Sequence, residues 1–243
     1  GSGLIPTEVS RTLRNQALAM EAAAHQFERH AKSSEKDVSG KVRIGVPELI
    51  GTEVMPVMLR ELSEKHPALE IELFLSNRDA DLLANEFDLA VKTTTPLQEA
   101  LVARKAANIP MGLFASREYI ERRGVPETVE GLAEHDLIGA DRLQDDWALA
   151  STLGLTRSSR CFVLRTDSHP AQVAAARAGV GIAACQVPFG NADPVLLRVL
   201  PSMELAASET WIVTHEDLIG IPRIRAVFDH LVEAYTFYAT RTD

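Results

Sequence analysis

Val42-Arg43-Ile44-Gly45-Val46-Pro47-Glu48-Leu49-Ile50-Gly51, followed at once by Val54-Met55-Pro56-Val57-Met58-Leu59, is the stretch from which the fold is read. Apolar side chains alternate through Val42, Ile44 and Val46, the period of a strand, and then continue as the apolar face of an amphipathic helix. A strand that opens into a helix across a polar tip presents the first backbone N–H groups of that helix to whatever lies beyond it. That is a place for a small ligand, and nothing in the stretch looks like a catalyst.

Working outward toward the C-terminus, the same alternation repeats. Strand signals at 42–46, 69–75 and 87–91 are separated by a helix over 50–65 and a short helix from Asp81 to Asn85. Leu101 to Lys105 and Ile109 to Phe114 read as two more strands, the second entering a helix at Ser116. A second run follows: a short helix near Pro126 to Leu132, strands at 136–139 and 161–165, a helix over 168–178 and a buried strand over 180–185. Trp211 to Thr214 is a further strand, and Pro222 opens a final amphipathic helix through Tyr235. Strands alternating with helices predict an α/β fold with parallel pairing and helices on the sheet faces.

Toward the N-terminus the character changes. Thr7 to Ala31 is rich in Ala, Glu, Gln, Arg and Leu and free of Gly and Pro, which predicts one long helix, about 37 Å if it runs some 25 residues. Leu13, Met20 and Phe27 recur every seven residues, with Val9, Gln16, Ala23 and His30 in the second seam position. The spacing fits a short coiled coil projecting toward a partner, with an amphipathic helix lying on its own domain as the alternative.

The chain has 243 residues, of which 46% are hydrophobic, enough for one large or two small cores. Its formal net charge of −9 argues against these residues gripping phosphate backbones themselves. Neither a long apolar run nor a basic-then-apolar leader is present, and Cys161 and Cys185 lack metal-ligand spacing, so a cytoplasmic protein with core thiols is expected. Gly1-Ser2-Gly3 reads as a cloning remnant, with the natural chain expected to extend upstream.

The ordered set Gly40 to Val46, Met55-Pro56, His66-Pro67, Phe87-Asp88-Leu89-Ala90-Val91-Lys92 and Gly179-Val180-Gly181-Ile182-Ala183 resembles the LysR-type transcriptional regulators over residues 5 to 240. The resemblance implies two Rossmann-like subdomains of the type 2 periplasmic-binding-protein kind, joined by two crossover strands near 109–115 and 209–214 and preceded by a linker and dimerisation helix over 4–37. It assigns 41–112 with 213–243 to the first subdomain and 113–212 to the second. It also implies a winged helix-turn-helix upstream, a homodimer or homotetramer, contact with DNA through that missing part, and no membrane or cofactor. For the subunit interface it points to Leu13, Met20, Phe27, Val54, Met58 and Leu62, with the segment 69–83.

Ligands of open α/β sheets bind at the carboxyl ends of strands. That rule picks out Pro47, Glu48 and Thr52; Lys92, Thr93 and Thr94; Thr166, Asp167 and Ser168; and Gln186. Helix starts near Ile50 and Ser168, with the Lys92 ammonium, favour an anionic metabolite. Glu48 pulls the other way, either steadying its own helix or occupying the positive end, so a zwitterionic or hydroxylated ligand is the rival. Asp167 and Ser168 also suit a helix cap, Lys92 also suits a solvated surface, and His169 reads as a cleft donor or a helix entrance.

No GxSxG, HExxH, P-loop or GxGxxG motif occurs, and His215-Glu216-Asp217 is a loop triplet of solvated type. Trp147 and Trp211 read as packing residues. The expected function is effector sensing and oligomerisation within a bacterial regulator, not catalysis; a solute-binding receptor or an enzyme on the same fold is the alternative.

Overall fold

The computed structural model describes Thr7, Val9, Leu13, Gln16, Ala17, Met20 and residues 38–77, 87–96, 100–203 and 205–241. The expected helix over 81–85, most of that over 7–31 and Phe27 lie outside these residues. Val9, Leu13, Gln16, Ala17 and Met20 are helical and exposed.

The chain builds a five-stranded sheet in the order β2-β1-β3-β10-β4. Its strands are β1 (Gly40–Val46), β2 (Leu69–Leu75), β3 (Leu89–Lys92), β4 (Leu101–Ile109) and β10 (Ser208–His215). β1 runs parallel to β2 and β3, as the alternation predicts, whereas β10 returns antiparallel between β3 and β4. Val42, Ile44 and Val46 are buried, matching the period-two reading of β1. Asp88 fixes the start of β3: its carboxylate accepts the Arg43 backbone N–H at 2.9 Å, and its carbonyl accepts the Thr214 hydroxyl at 2.7 Å.

The helix after β1 starts at Glu48, passes through a π-turn over Ile50–Val54 and continues as α1 (Met55–Lys65). Pro56 explains the irregular turn, because it has no N–H to donate and its ring crowds the preceding turn. Gly51 lets this turn sit on the sheet, since a Cβ there would run into the Leu75 side chain. α1 packs with α6 (Pro222–Ala239) on one core, Val54, Met55, Met58 and Leu62 meeting Ile224, Val227, Leu231 and Tyr235.

At Pro110 the chain leaves β4 for β5 (Met111–Ser116), the centre of a three-stranded antiparallel sheet ordered β8-β5-β9, with β8 at Ala183–Gln186 and β9 at Leu196–Val199. A parallel pair, β6 (Leu137–Gly139) with β7 (Phe162–Arg165), joins this sheet through a bridge between Leu137 and Ile182. Helices α2 (Arg117–Arg123), α3 (Gln144–Thr152), α4 (His169–Arg177) and α5 (Val187–Ala192) connect these strands. After β9 the chain crosses back into β10. Gly181 is placed by close approach, since a Cβ would overlap the Asp136 carbonyl oxygen, and Gly179 adopts a left-handed φ of 75° that favours glycine.

Val54, Met58 and Leu62 correct the expectation for the subunit interface. They are 5%, 5% and 1% exposed and face their own core, whereas Val57 on the opposite side of α1 is 52% exposed. Helical periodicity finds the apolar face without saying whether a partner or the fold's own sheet covers it.

Candidate functional site

A cavity of about 680 Å3 lies between the two sheets. On one side it meets the strand tips of the larger sheet: Val46 and Pro47 after β1, Ala90 to Thr94 at β3, and Ala206 to Glu209 where the chain re-enters β10. On the other it meets Met111 at the start of β5, Ala184 to Gln186 of β8, and α3 with the loop before it.

Of the strand-tip residues singled out by topology, Pro47, Lys92, Thr93, Thr94 and Gln186 stand on this wall. Gln186 is 6% exposed, and its side-chain carbonyl accepts the Tyr238 hydroxyl at 3.0 Å, which ties α6 to β8. The other five have structural partners instead. Thr52 returns its hydroxyl to the Glu48 carbonyl at 2.9 Å. Thr166 accepts the Ser168 backbone N–H at 3.2 Å.

Glu48, Asn77, Asp167 and Ser168 form a hydrogen-bonded latch between the two halves beside the cavity. Glu48 Oε2 accepts from the Ser168 hydroxyl at 3.1 Å and from Asn77 Nδ2 at 3.2 Å. The same Asn77 amide donates to the Asp167 carbonyl at 3.1 Å, and its oxygen accepts the Glu48 backbone N–H at 3.0 Å. Ser168 stands before α4 without capping it by its side chain, which corrects the capping expectation: the hydroxyl is spent on Glu48.

Asp167 holds the loop that carries α3. Its Oδ1 accepts the backbone N–H groups of Asp141, Arg142 and Leu143 at 2.9, 2.7 and 3.2 Å. These bonds, that from Arg142 foremost, hold its carboxyl below the usual carboxylate range. The first residue of α4, His169, adds a second contact at the same end of α3: Nε2 lies 3.0 Å from Asp146 Oδ2 in its first turn. Burial alone would lower this imidazole; the Asp146 hydrogen bond, with the charges of Asp146, Glu48 and Asp167, outweighs burial and raises it.

A second bridge joins the two sheets beside the cavity. Arg177 on α4 reaches Glu53 of the π-turn at 2.8 and 3.1 Å and Asp193 at 2.7 Å, with its guanidinium 5.4 Å from the Phe189 ring centre. At the far rim Glu209 is engaged by Lys105, the Thr95 hydroxyl and Trp211 Nε1, and its carboxyl is held down to about 2, chiefly by Lys105.

Residues 144–152 carry no strand or helix pattern that the alternation picks out, and Trp147 reads from the sequence as a packing residue. The structure places Trp147 on the cavity wall, edge-on to Phe162 with ring centres 5.3 Å apart and its Nε1 donating to the Asp141 carbonyl at 3.2 Å. Asp145 and Asp146 ahead of Ala148, Leu149 and Ala150 were the available signal, acids in a first turn leading into helix formers. On the wall Asp146 is paired with His169, and Glu209 with Lys105 beside it, while most of the lining is apolar or carries uncharged polar groups, an arrangement that suits holding a molecule through hydrogen bonds and apolar contact.

The sequence profile described as the LysR substrate binding domain matches residues 35–236. A probable HTH-type transcriptional regulator, LtrA of Klebsiella pneumoniae, is 24% identical over 93% of this chain and 76% of its own length. The HTH-type regulator YhjC of Escherichia coli is 29% identical over 60% of the chain, a stretch spanning half of that relative. In structure, the CrgA regulatory domain of Neisseria meningitidis, a LysR-type transcriptional regulator, superposes with a TM-score of 0.69 at 20% identity, covering 80% of this chain and 98% of that domain.

Proposed function

The chain belongs to the LysR substrate-binding domain family, and from that premise we propose that the cavity between its two sheets receives a small-molecule effector whose binding is relayed to a DNA-reading part of the full-length protein. The observation that carries the reading is the cavity itself. Its volume of about 680 Å3 falls in the range of small-molecule sites, and it is walled by both sheets, so an occupant touches both. An effector that favours one relative placement of the sheets shifts the population toward it.

In this reading residues 41–112 with 213–243, and residues 113–212, are the two halves that move. Thr93 and Thr94, both exposed, with Lys92 and Gln186 supply the polar contacts. Glu48, Asp167 and Ser168 act as the latch between the halves, not as ligand contacts. The site binds without turnover. Subunits pair through the N-terminal helix, a role supported by Val9, Leu13 and Met20, which are helical and 67%, 57% and 74% exposed. Among the described residues no helix is long and apolar enough to cross a membrane.

A thermal-shift screen of metabolites against this chain tests the reading. A binder at about 100 times its Kd stabilises the fold by roughly 2.7 kcal/mol. The expected result is a hit whose shift shrinks in a Thr93→Ala/Thr94→Ala variant at the same concentration. Equal shifts in the variant and the parent would refute the placement.

A further inference from the structure

The cavity does not stop at the strand tips. It continues beneath α3 into the core of the smaller sheet, where Leu113, Leu132, Leu137 and Ile182 are 6%, 0%, 4% and 1% exposed and yet stand on its wall. The roof is α3, none of whose nine residues is buried although Trp147 and Leu149 line the cavity. The aromatic edge formed by Trp147 and Phe162 lies beside Leu137, which pairs with Phe162 across β6 and β7.

Such walls discriminate between occupants. A water molecule needs two to four polar partners to be held; the leucine, isoleucine and phenylalanine side chains here provide none, and the Trp147 N–H is already given to the Asp141 carbonyl, whereas an apolar group gains roughly 25 cal/mol for each Å2 it removes from water. The charged groups at the rim of α3 add no demand for an anion, since Asp146 is committed to His169 and Asp145 carries the same sign.

Resting on the reading of this cavity as the effector site, we propose that the effector is an amphipathic molecule with an aromatic or branched-aliphatic body. That body enters under α3 against Leu137, Trp147 and Phe162, while one polar end stays among Thr93, Thr94 and Gln186. Sugars and small polyanions are thereby disfavoured. Because the body completes the apolar face of α3, its arrival orders this helix, which is already tied to the latch through Asp167 and His169.

The test uses N-phenyl-1-naphthylamine, an uncharged fluorophore of this shape. The parent chain is expected to bind it saturably, with energy transfer from tryptophan that Trp147→Phe reduces while binding persists, Trp211 beside the Glu209 rim supplying the remainder. Ala184→Phe, on a half-buried β8 position facing the cavity, and Leu149→Gln, on the helix that buries nothing, are each expected to weaken binding about tenfold, equivalent to about 1.4 kcal/mol. Val57→Thr, on the exposed side of α1 away from the cavity, is expected to change it less than about threefold, equivalent to about 0.65 kcal/mol. Non-saturable binding, or parent-like affinity in both Ala184→Phe and Leu149→Gln, overturns the subsite. If in that case a metabolite's stabilisation still depends on Thr93 and Thr94, the cleft reading survives without it; if that dependence is missing too, both fall.

Discussion

The Ser168 hydroxyl donates to Glu48 Oε2 at 3.1 Å across a separation of 120 residues, joining the tip of β1 to the start of α4 beside the cavity. Both groups are half-buried, so Ser168→Ala is expected to cost about 1 kcal/mol in urea unfolding. Asn77→Ala, which removes bonds to the Glu48 backbone, the Glu48 carboxylate and the Asp167 carbonyl, is expected to cost about 2 kcal/mol. Equal, negligible effects would show that the latch does not hold the two halves.

Arg177 is the second tie. The Asp193 side chain is 4% exposed, so Arg177→Met leaves a buried carboxylate held, among the described residues, by the Val195 and Leu196 backbone N–H groups. The expected loss is about 2 kcal/mol, reduced from the fully buried case because the arginine side chain is 32% exposed. Arg177→Lys should recover only part of it, since an ammonium cannot repeat the forked contact with Glu53 and Asp193. Full recovery would mean that charge alone matters.

His169 makes the anchoring of α3 depend on pH. The folded protein raises this imidazole above its ordinary value of 6.5. It therefore holds the proton more tightly than the unfolded chain, and the stabilisation is complete below that ordinary value and lost as pH rises through the raised one. Melting temperatures measured from mildly acidic to mildly alkaline pH should fall more steeply for the parent than for His169→Ala. Identical slopes would remove His169 from the anchoring of α3.

Gly181 and Gly179 separate close approach from backbone conformation. Gly181→Ala forces a Cβ onto the Asp136 carbonyl and is expected to cost about 3 kcal/mol or more. Gly179→Ala meets ordinary contacts at its left-handed φ and is expected to cost about 1 to 2 kcal/mol. Chemical denaturation of the two variants reads the difference, and the reverse ranking would contradict the packing described.

Periodicity made β1, the helix after it and α6 legible, because Val42, Ile44, Val46 and Ile224, Val227, Leu231 bury one continuous face. α3 escaped that reading because its apolar side chains cover a cavity and leave the helix without a buried residue. Pro47, Lys92 and Gln186 could be placed near the cavity by the rule of strand ends. Glu48, Asp167 and Ser168 obey the same rule along the chain, yet their partners are fixed by contacts from other elements, Asn77 and the loop 141–143, which no local pattern encodes. The antiparallel return of β10 was hidden for a similar reason: its alternation suits either direction of pairing.

Hydrogen–deuterium exchange on this chain, with and without a metabolite that stabilises it, tests the central claim most directly. A ligand held between the sheets and roofed by α3 should slow exchange together in residues 90–94, 143–153 and 184–186. Protection confined to one of the two sheets, or found only outside these segments, would contradict the account.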